Sequence, residues 1–308
     1  MSIAFLFPGQ GSQSVGMAKS LYDAFPAVRE LYREADEALG YSLSQVSFEG
    51  PADELGRTEV TQPAILAASM AAFRALSDAG TRPAMAAGHS LGEYSALCAA
   101  GVFSFGDAIR LTRERGRLMQ SAVPEGKGLM AAVLGLERAA LEEALSAVTS
   151  GYVAPANFNC PGQIVISGEK TAVEEAIIKL KEKGAKRAVP LAVSAPSHCA
   201  LMSGAADSLG LLIDGIALSD PAFPVINNAD AAPVASVDSV RDSLVRQLKC
   251  PLYWEDSIRR MAEDGADVFV EVGPGKVLSG LMKRILPDAR VMSVEDAAGV
   301  DAAVSALK

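Results

Sequence analysis

Gly88-His89-Ser90-Leu91-Gly92 has the residue types and the spacing to hold a serine nucleophile. It follows a short apolar run, Ala84-Met85-Ala86-Ala87-Gly88, and precedes a helical pattern that begins at Leu91. A G-x-S-x-G between a strand and a helix makes a sharp turn, in which the flanking glycines let the chain pass closely. The serine hydroxyl is then exposed at a helix N-terminus, where backbone N–H groups favour an oxyanion. Such a serine needs a base, and the chain has two histidines. His89 lies within the turn and points away from its neighbour in this geometry, so His198, in Pro196-Ser197-His198-Cys199, is the candidate. Asp220 and Asp230 both follow His198, whereas the hydrolase order places the acid before the histidine. No carboxylate stands out as a third member.

Arg115 is the second residue that invites chemistry. Helical spacing over 107–119 puts Ala108, Leu111, Thr112, Arg115, Leu118 and Met119 on one stripe, and Arg110, Arg113, Glu114 and Arg117 on the opposite, solvated face. An arginine on an apolar stripe requires an anionic partner. Either an internal Asp or Glu supplies it, or the guanidinium fork receives a substrate carboxylate. Pro8-Gly9-Gln10-Gly11-Ser12-Gln13 fits neither G-x-G-x-x-G nor a Walker loop. As a loop after the first strand, it can instead offer N–H groups to an oxyanion.

These groups need a scaffold, and the chain can build one. Its 308 residues are half apolar and about a fifth charged, with 28 Lys+Arg against 37 Asp+Glu and a net charge of −9. This composition excludes a disordered chain and shows no basic stripe for nucleic acid. The uncharged stretches 144–168 and 188–206 are broken by Pro155, Asn157, Asn159, Pro161, Pro190 and Pro196, which argues against a membrane span. The first residues lack the basic region and cleavage site of a signal peptide. Four scattered cysteines and two histidines suit neither a disulfide framework nor a metal knuckle, so a reducing cytoplasm and no metal are expected.

Short buried strands at 3–7, 84–88, 267–272 and near 290–293 alternate with helices at about 17–40, 60–79, 107–119, 199–214, 237–249, 254–264, 276–286 and at the C-terminus. That alternation predicts an α/β fold with a parallel sheet. Between them, strand 128–135, helix 137–148, strands 152–158 and 163–168, helix 171–183 and strand 186–193 make a βαββαβ, ferredoxin-like order. The expected division is a large domain of 1–124 and 196–308 with a small domain, 125–195, inserted.

Phe7-Pro8-Gly9-Gln10-Gly11-Ser12-Gln13, Gly88-His89-Ser90-Leu91-Gly92-Glu93-Tyr94, Arg115-Gly116, Pro196-Ser197-His198 and Glu271-Val272-Gly273-Pro274-Gly275 together resemble the malonyl-CoA:acyl carrier protein transacylases of fatty-acid synthesis. The resemblance extends from Phe7 to about Ile285. It implies a hydrolase-like large domain, a ferredoxin-like small one, and ping-pong transfer of malonyl from malonyl-CoA to the phosphopantetheine of acyl carrier protein without a further cofactor. It also implies roles: Ser90 as nucleophile, His198 as base, Gln10 and Leu91 as oxyanion donors, and Arg115 as the malonate clamp. Gln247 falls at the histidine-orienting position, and Asn157 and Asn159 lie near the cleft. A monomer is expected. An acidic carrier would need a local basic patch on this acidic chain, either Lys179, Lys181, Lys183, Lys186 and Arg187 or Lys276, Lys283 and Arg284. A serine esterase or thioesterase, a non-catalytic carrier-docking subunit, and a loader of polyketide synthesis are the competing readings.

Overall fold

Ten strands, in a computed structural model describing residues 1–191, 195–234 and 236–307, sort into two sheets. In chain order they are β1 (Ile3–Phe7), β2 (Met85–Gly88), β3 (Gly128–Leu134), β4 (Val153–Cys160), β5 (Gln163–Glu169), β6 (Arg187–Pro190), β7 (Val225–Ile226), β8 (Pro233–Val234), β9 (Val268–Val272) and β10 (Arg290–Val294). The larger sheet runs β10-β9-β1-β2-β7-β8 and is parallel except for the final β7–β8 pair. Ala4 to Phe7 and all of β9 are buried, as the continuous apolar runs of central parallel strands require. Parallel pairing of Phe7 with Gly88 brings the ends of β1 and β2 level, so the loop from Pro8 meets the turn at Ser90.

The second sheet, β4-β5-β3-β6, is antiparallel and carries two helices, Arg138–Ser146 and Lys170–Glu182. This is the ferredoxin-like arrangement, with its own core of Val133, Leu141, Phe158, Ile164, Ile166, Val173 and Leu180. Its outer strand is not left open. Phe158 N–H donates to Leu252 O and Leu252 N–H to Ala156 O, each at 2.8 Å, stitching β4 to the large domain.

Several elements differ from expectation in ways the chain explains. The helical stretch 17–40 divides into Lys19–Ala24 and Pro26–Leu39, because Pro26 forces Phe25 out of the helical region, to φ −117° and ψ 114°. Helices Leu43–Glu49 and Ala52–Leu55, and the two-residue strands β7 and β8, are too short to leave a periodic signal. The strand expected at 186–193 is seen as β6, and residues 192 and 193 lie outside the described residues. Among the described residues no helix is long and apolar enough to cross a membrane.

Candidate active site

β2 delivers the chain into the turn, and Ser90 sits in it at φ 53°, ψ −108°, a strained conformation for a residue with a side chain. Three glycines permit the turn. A Cβ on Gly88 would lie 1.9 Å from Gly92 C, one on Gly92 2.0 Å from Phe7 O, and one on Gly9 2.3 Å from His89 O. The same close packing presses the loop after β1 against the turn. Asn228 pins it further, accepting the Ser90 N–H through Oδ1 and donating from Nδ2 to Gly88 O, both at 2.8 Å.

His198 reaches the serine from the segment after the small domain. Its Nε2 is 2.8 Å from Ser90 Oγ, and its Nδ1–H donates to the Gln247 main-chain carbonyl at 2.7 Å. That bond fixes the tautomer with the Nε2 lone pair toward the serine. Burial first, then the nearby Arg115 charge, pushes the His198 pKa down to about 3, so the imidazole is neutral at physiological pH. His89 turns away, to Asn159 Oδ1 at 2.9 Å and the edge of Trp254, and burial also lowers its pKa. Asp220 and Asp230 are engaged elsewhere, with Val237 N–H and with Arg246.

Arg115 lies in the helix Phe105–Ala122, started by Ser104, whose Oγ accepts the Asp107 N–H. It is 1 % exposed. Nη1 donates to Gln62 Oε1 at 2.9 Å, and Nη2 to Gln247 Oε1 at 3.0 Å and Ser90 Oγ at 3.2 Å. Among the described residues its Nε has no hydrogen-bond partner, and the Tyr94 ring lies 5.1 Å from the guanidinium carbon. Among the described residues no Asp or Glu stands within ion-pair distance of it. Its hydrogen-bond partners are neutral oxygens, and one of them is Ser90 Oγ.

Ser90, His198, Gln10, Asn157, Asn159, Met119, Met130 and Leu281 line one cavity of about 470 Å³ between the two sheets. Leu91 opens the helix Leu91–Ala99, so its N–H has no carbonyl one turn back to receive it. Sequence reasoning missed three residues here: Gln62, Asn228 and the structural part played by Glu93. Gln62 and Glu93 were visible as polar interruptions of apolar helices, whereas Asn228 left no such mark. No group of three or more His, Cys, Asp or Glu among the described residues is placed to hold a metal ion.

A turn-held serine, an imidazole base and a helix N-terminus on an α/β sheet constitute the equipment of serine acyl transfer. The profile of the acyl transferase domain family matches residues 4–301. The malonyl CoA-acyl carrier protein transacylase of Escherichia coli (strain K12) is 50% identical over 303 residues, 98% of each chain. That of Bacillus subtilis (strain 168) is 46% identical over 308 residues, 99% of this chain and 97% of its own. The structure of an acyl carrier protein S-malonyltransferase from Vibrio cholerae superimposes with a TM-score of 0.96 at 47% identity, covering 98% of this chain and all of that one. A malonyl-transacylase solved in complex with a type II PKS acyl-carrier protein gives 0.97 at 48% identity, over 99% of this chain and all of that one. The chain is an acyltransferase. It belongs to the acyl transferase domain family and, within that family, to the malonyl CoA-acyl carrier protein transacylases.

Proposed function

We propose that this acyltransferase moves malonyl groups from malonyl-CoA to the phosphopantetheine thiol of acyl carrier protein, supplying extender units for fatty-acid synthesis. The observation that carries the reading is Arg115, a buried guanidinium with no carboxylate in direct contact among the described residues, 3.2 Å from Ser90 Oγ. A malonyl thioester brings the missing carboxylate, and a simple esterase substrate does not.

Ser90 Oγ attacks the thioester carbonyl as His198 Nε2 takes its proton. The main-chain N–H groups of Leu91 and Gln10 receive the oxyanion. The Gln247 carbonyl holds the imidazole that then carries the proton, a task a carboxylate performs in other triads. His198 returns that proton to the departing coenzyme A sulfur, leaving a malonyl-serine ester. The carrier thiol repeats the sequence in reverse, with the same base, which makes a ping-pong cycle. These steps use no metal or redox cofactor. Asn157 and Asn159 border the cavity, and Asn159 acts by holding His89 in the turn. We place the enzyme in the cytoplasm with its soluble thioester substrates, acting as a monomer. Loading a polyketide carrier is the second reading, favoured by the carrier named for the 48% identical relative.

Mass spectrometry after brief exposure to malonyl-, methylmalonyl- and acetyl-CoA tests the assignment. One malonyl group on Ser90, absent from Ser90→Ala, is the expected result. An adduct that survives the substitution, or that maps to Cys199, refutes it.

A further inference from the structure

Glu93 is a fully buried carboxylate that takes no part in the steps above. It stands in the first turn of the helix that Ser90 precedes. Its Oε2 accepts the Asn228 N–H and the Gln247 Nε2–H, both at 2.9 Å, while its Oε1 has no hydrogen-bond partner among the described residues. Gln247 turns its amide oxygen to Arg115. One amide therefore links the buried anion to the buried cation.

Other charges facing Glu93 are few. Arg115 favours its ionised form, and Asp230, ion-paired to Arg246, opposes it. Tyr94 on its own helix and His198 are both neutral near pH 7, by pKa values of about 12 and about 3. β1, β2 and β7 carry no titratable side chain, and the helix Thr58–Asp78 buries none that is charged. A malonyl carboxylate arriving at Arg115 would add a second negative charge to a site already holding one, and like charges in a dry site do not both remain ionised at no cost.

We propose that Glu93 is a specificity-determining residue, one that competes with the acyl carboxylate for Arg115 and takes up a proton from solvent when malonyl is loaded. The proton is received on the unpartnered Oε1 and returns to solvent when malonyl leaves for the carrier. The inference rests on the reading of Arg115 as the malonyl carboxylate site. Burial already pushes the Glu93 pKa up to about 7, so a change of local charge swings its ionisation within the working range. The proton count closes: a rise of about one unit from about 7 adds at most about half a proton per site on loading, the same amount is lost on transfer, and the thioester exchange itself is neutral.

The ratio of malonyl to acetyl kcat/KM, followed from about pH 6 to about pH 8.5, is the test. His198 and the coenzyme A phosphates serve both substrates and cancel in this ratio. The wild type should favour malonyl by about tenfold more at the acid end, equivalent to a rise of about one unit in the Glu93 pKa on loading. Glu93→Gln should stay near the acid value at every pH. A pH indicator in weak buffer should register proton uptake during malonylation of the wild type and none during acetylation. If Glu93→Gln fails to fold, the wild-type profile and the proton count decide alone. A flat wild-type ratio, absent uptake, or an unchanged profile in Glu93→Gln overturns the proposal. Arg115→Ala separates the two ideas: a ratio that falls in this variant while the wild-type profile is flat leaves the clamp standing and removes only the role of Glu93.

Discussion

Arg115→Ala is the perturbation that bears most directly on the specificity of this site. Among the described residues the guanidinium hydrogen-bonds to three neutral oxygens and to no carboxylate, and Glu93 reaches it only through the Gln247 amide. A charge-assisted hydrogen bond to such a group is worth roughly 1.5–3 kcal/mol. At about 1.4 kcal/mol per decade, that amounts to roughly 10- to 150-fold in malonyl recognition. The substitution has a second effect, because it also frees Gln62 Oε1 and Gln247 Oε1 and removes a donor from Ser90 Oγ. Acetyl transfer will therefore change as well. These losses are common to both acyl groups and divide out of the malonyl-to-acetyl kcat/KM ratio, which should fall by one to two decades. Arg115→Lys should lose part of it, since an ammonium cannot match both carboxylate oxygens in one plane. Equal losses for both acyl groups, in a variant whose circular dichroism and melting temperature are those of the wild type, would refute the reasoning and make Arg115 a structural support of the turn.

The glycines of the turn make a steric prediction: Gly92→Ala places a methyl 2.0 Å from the Phe7 carbonyl oxygen, so malonyl-serine formation should be lost and the melting temperature lowered. Retention of full labelling would mean that the turn relaxes more than its packing indicates. Carrier docking makes a prediction about charge. Lys283 stands exposed in the last turn of the helix Val277–Ile285, whose Val277, Leu278 and Leu281 line the cavity, whereas Lys276 before that helix is ion-paired to Glu295, and Lys179 and Lys183 of the small domain to Glu175 and Glu143. Lys283→Glu should raise the KM for acyl carrier protein and leave malonylation by malonyl-CoA intact, and the reverse pattern, or an effect from Lys186→Glu instead, places the docking surface elsewhere.

Much of the site was legible because steric and burial demands are local in sequence. Gly88 and Gly92 can be read as a turn since each sits where another backbone passes, and Arg115 declares itself by interrupting an apolar stripe. The partner of His198 was hidden for the opposite reason. A main-chain carbonyl is present at every position, so no residue type announces it, and the search for a carboxylate near His198 had nothing to find. Only the family resemblance pointed to Gln247, and the structure adds that its carbonyl and its amide do different work. Asn228 escaped because its partners, Ser90, Gly88 and Glu93, are distant in sequence and meet it next to the β2–β7 pairing, a contact two residues long. The question left open by the sequence at Arg115, internal ion pair or free fork, is a matter of which side chains converge from three separate helices, and helical periodicity within one of them does not contain that answer.

The stitching of β4 to Leu252 gives the cleft a mechanical property. A strand at the rim of a sheet ordinarily offers its unpaired groups to any passing chain, but here the rim of the smaller sheet is spent on its own neighbour. Phe158 also stacks on Tyr253 with ring centres 5.2 Å apart, and Arg138 reaches across to Asp256. Widening the cleft means breaking two main-chain bonds at once, about 0.5–1.5 kcal/mol each, together with that stack. Opening the two lobes at this rim therefore carries a cost of about 1–3 kcal/mol from the main-chain bonds alone. On the function proposed above, the sorting of acyl groups then falls to the charges already standing in the walls of the cleft.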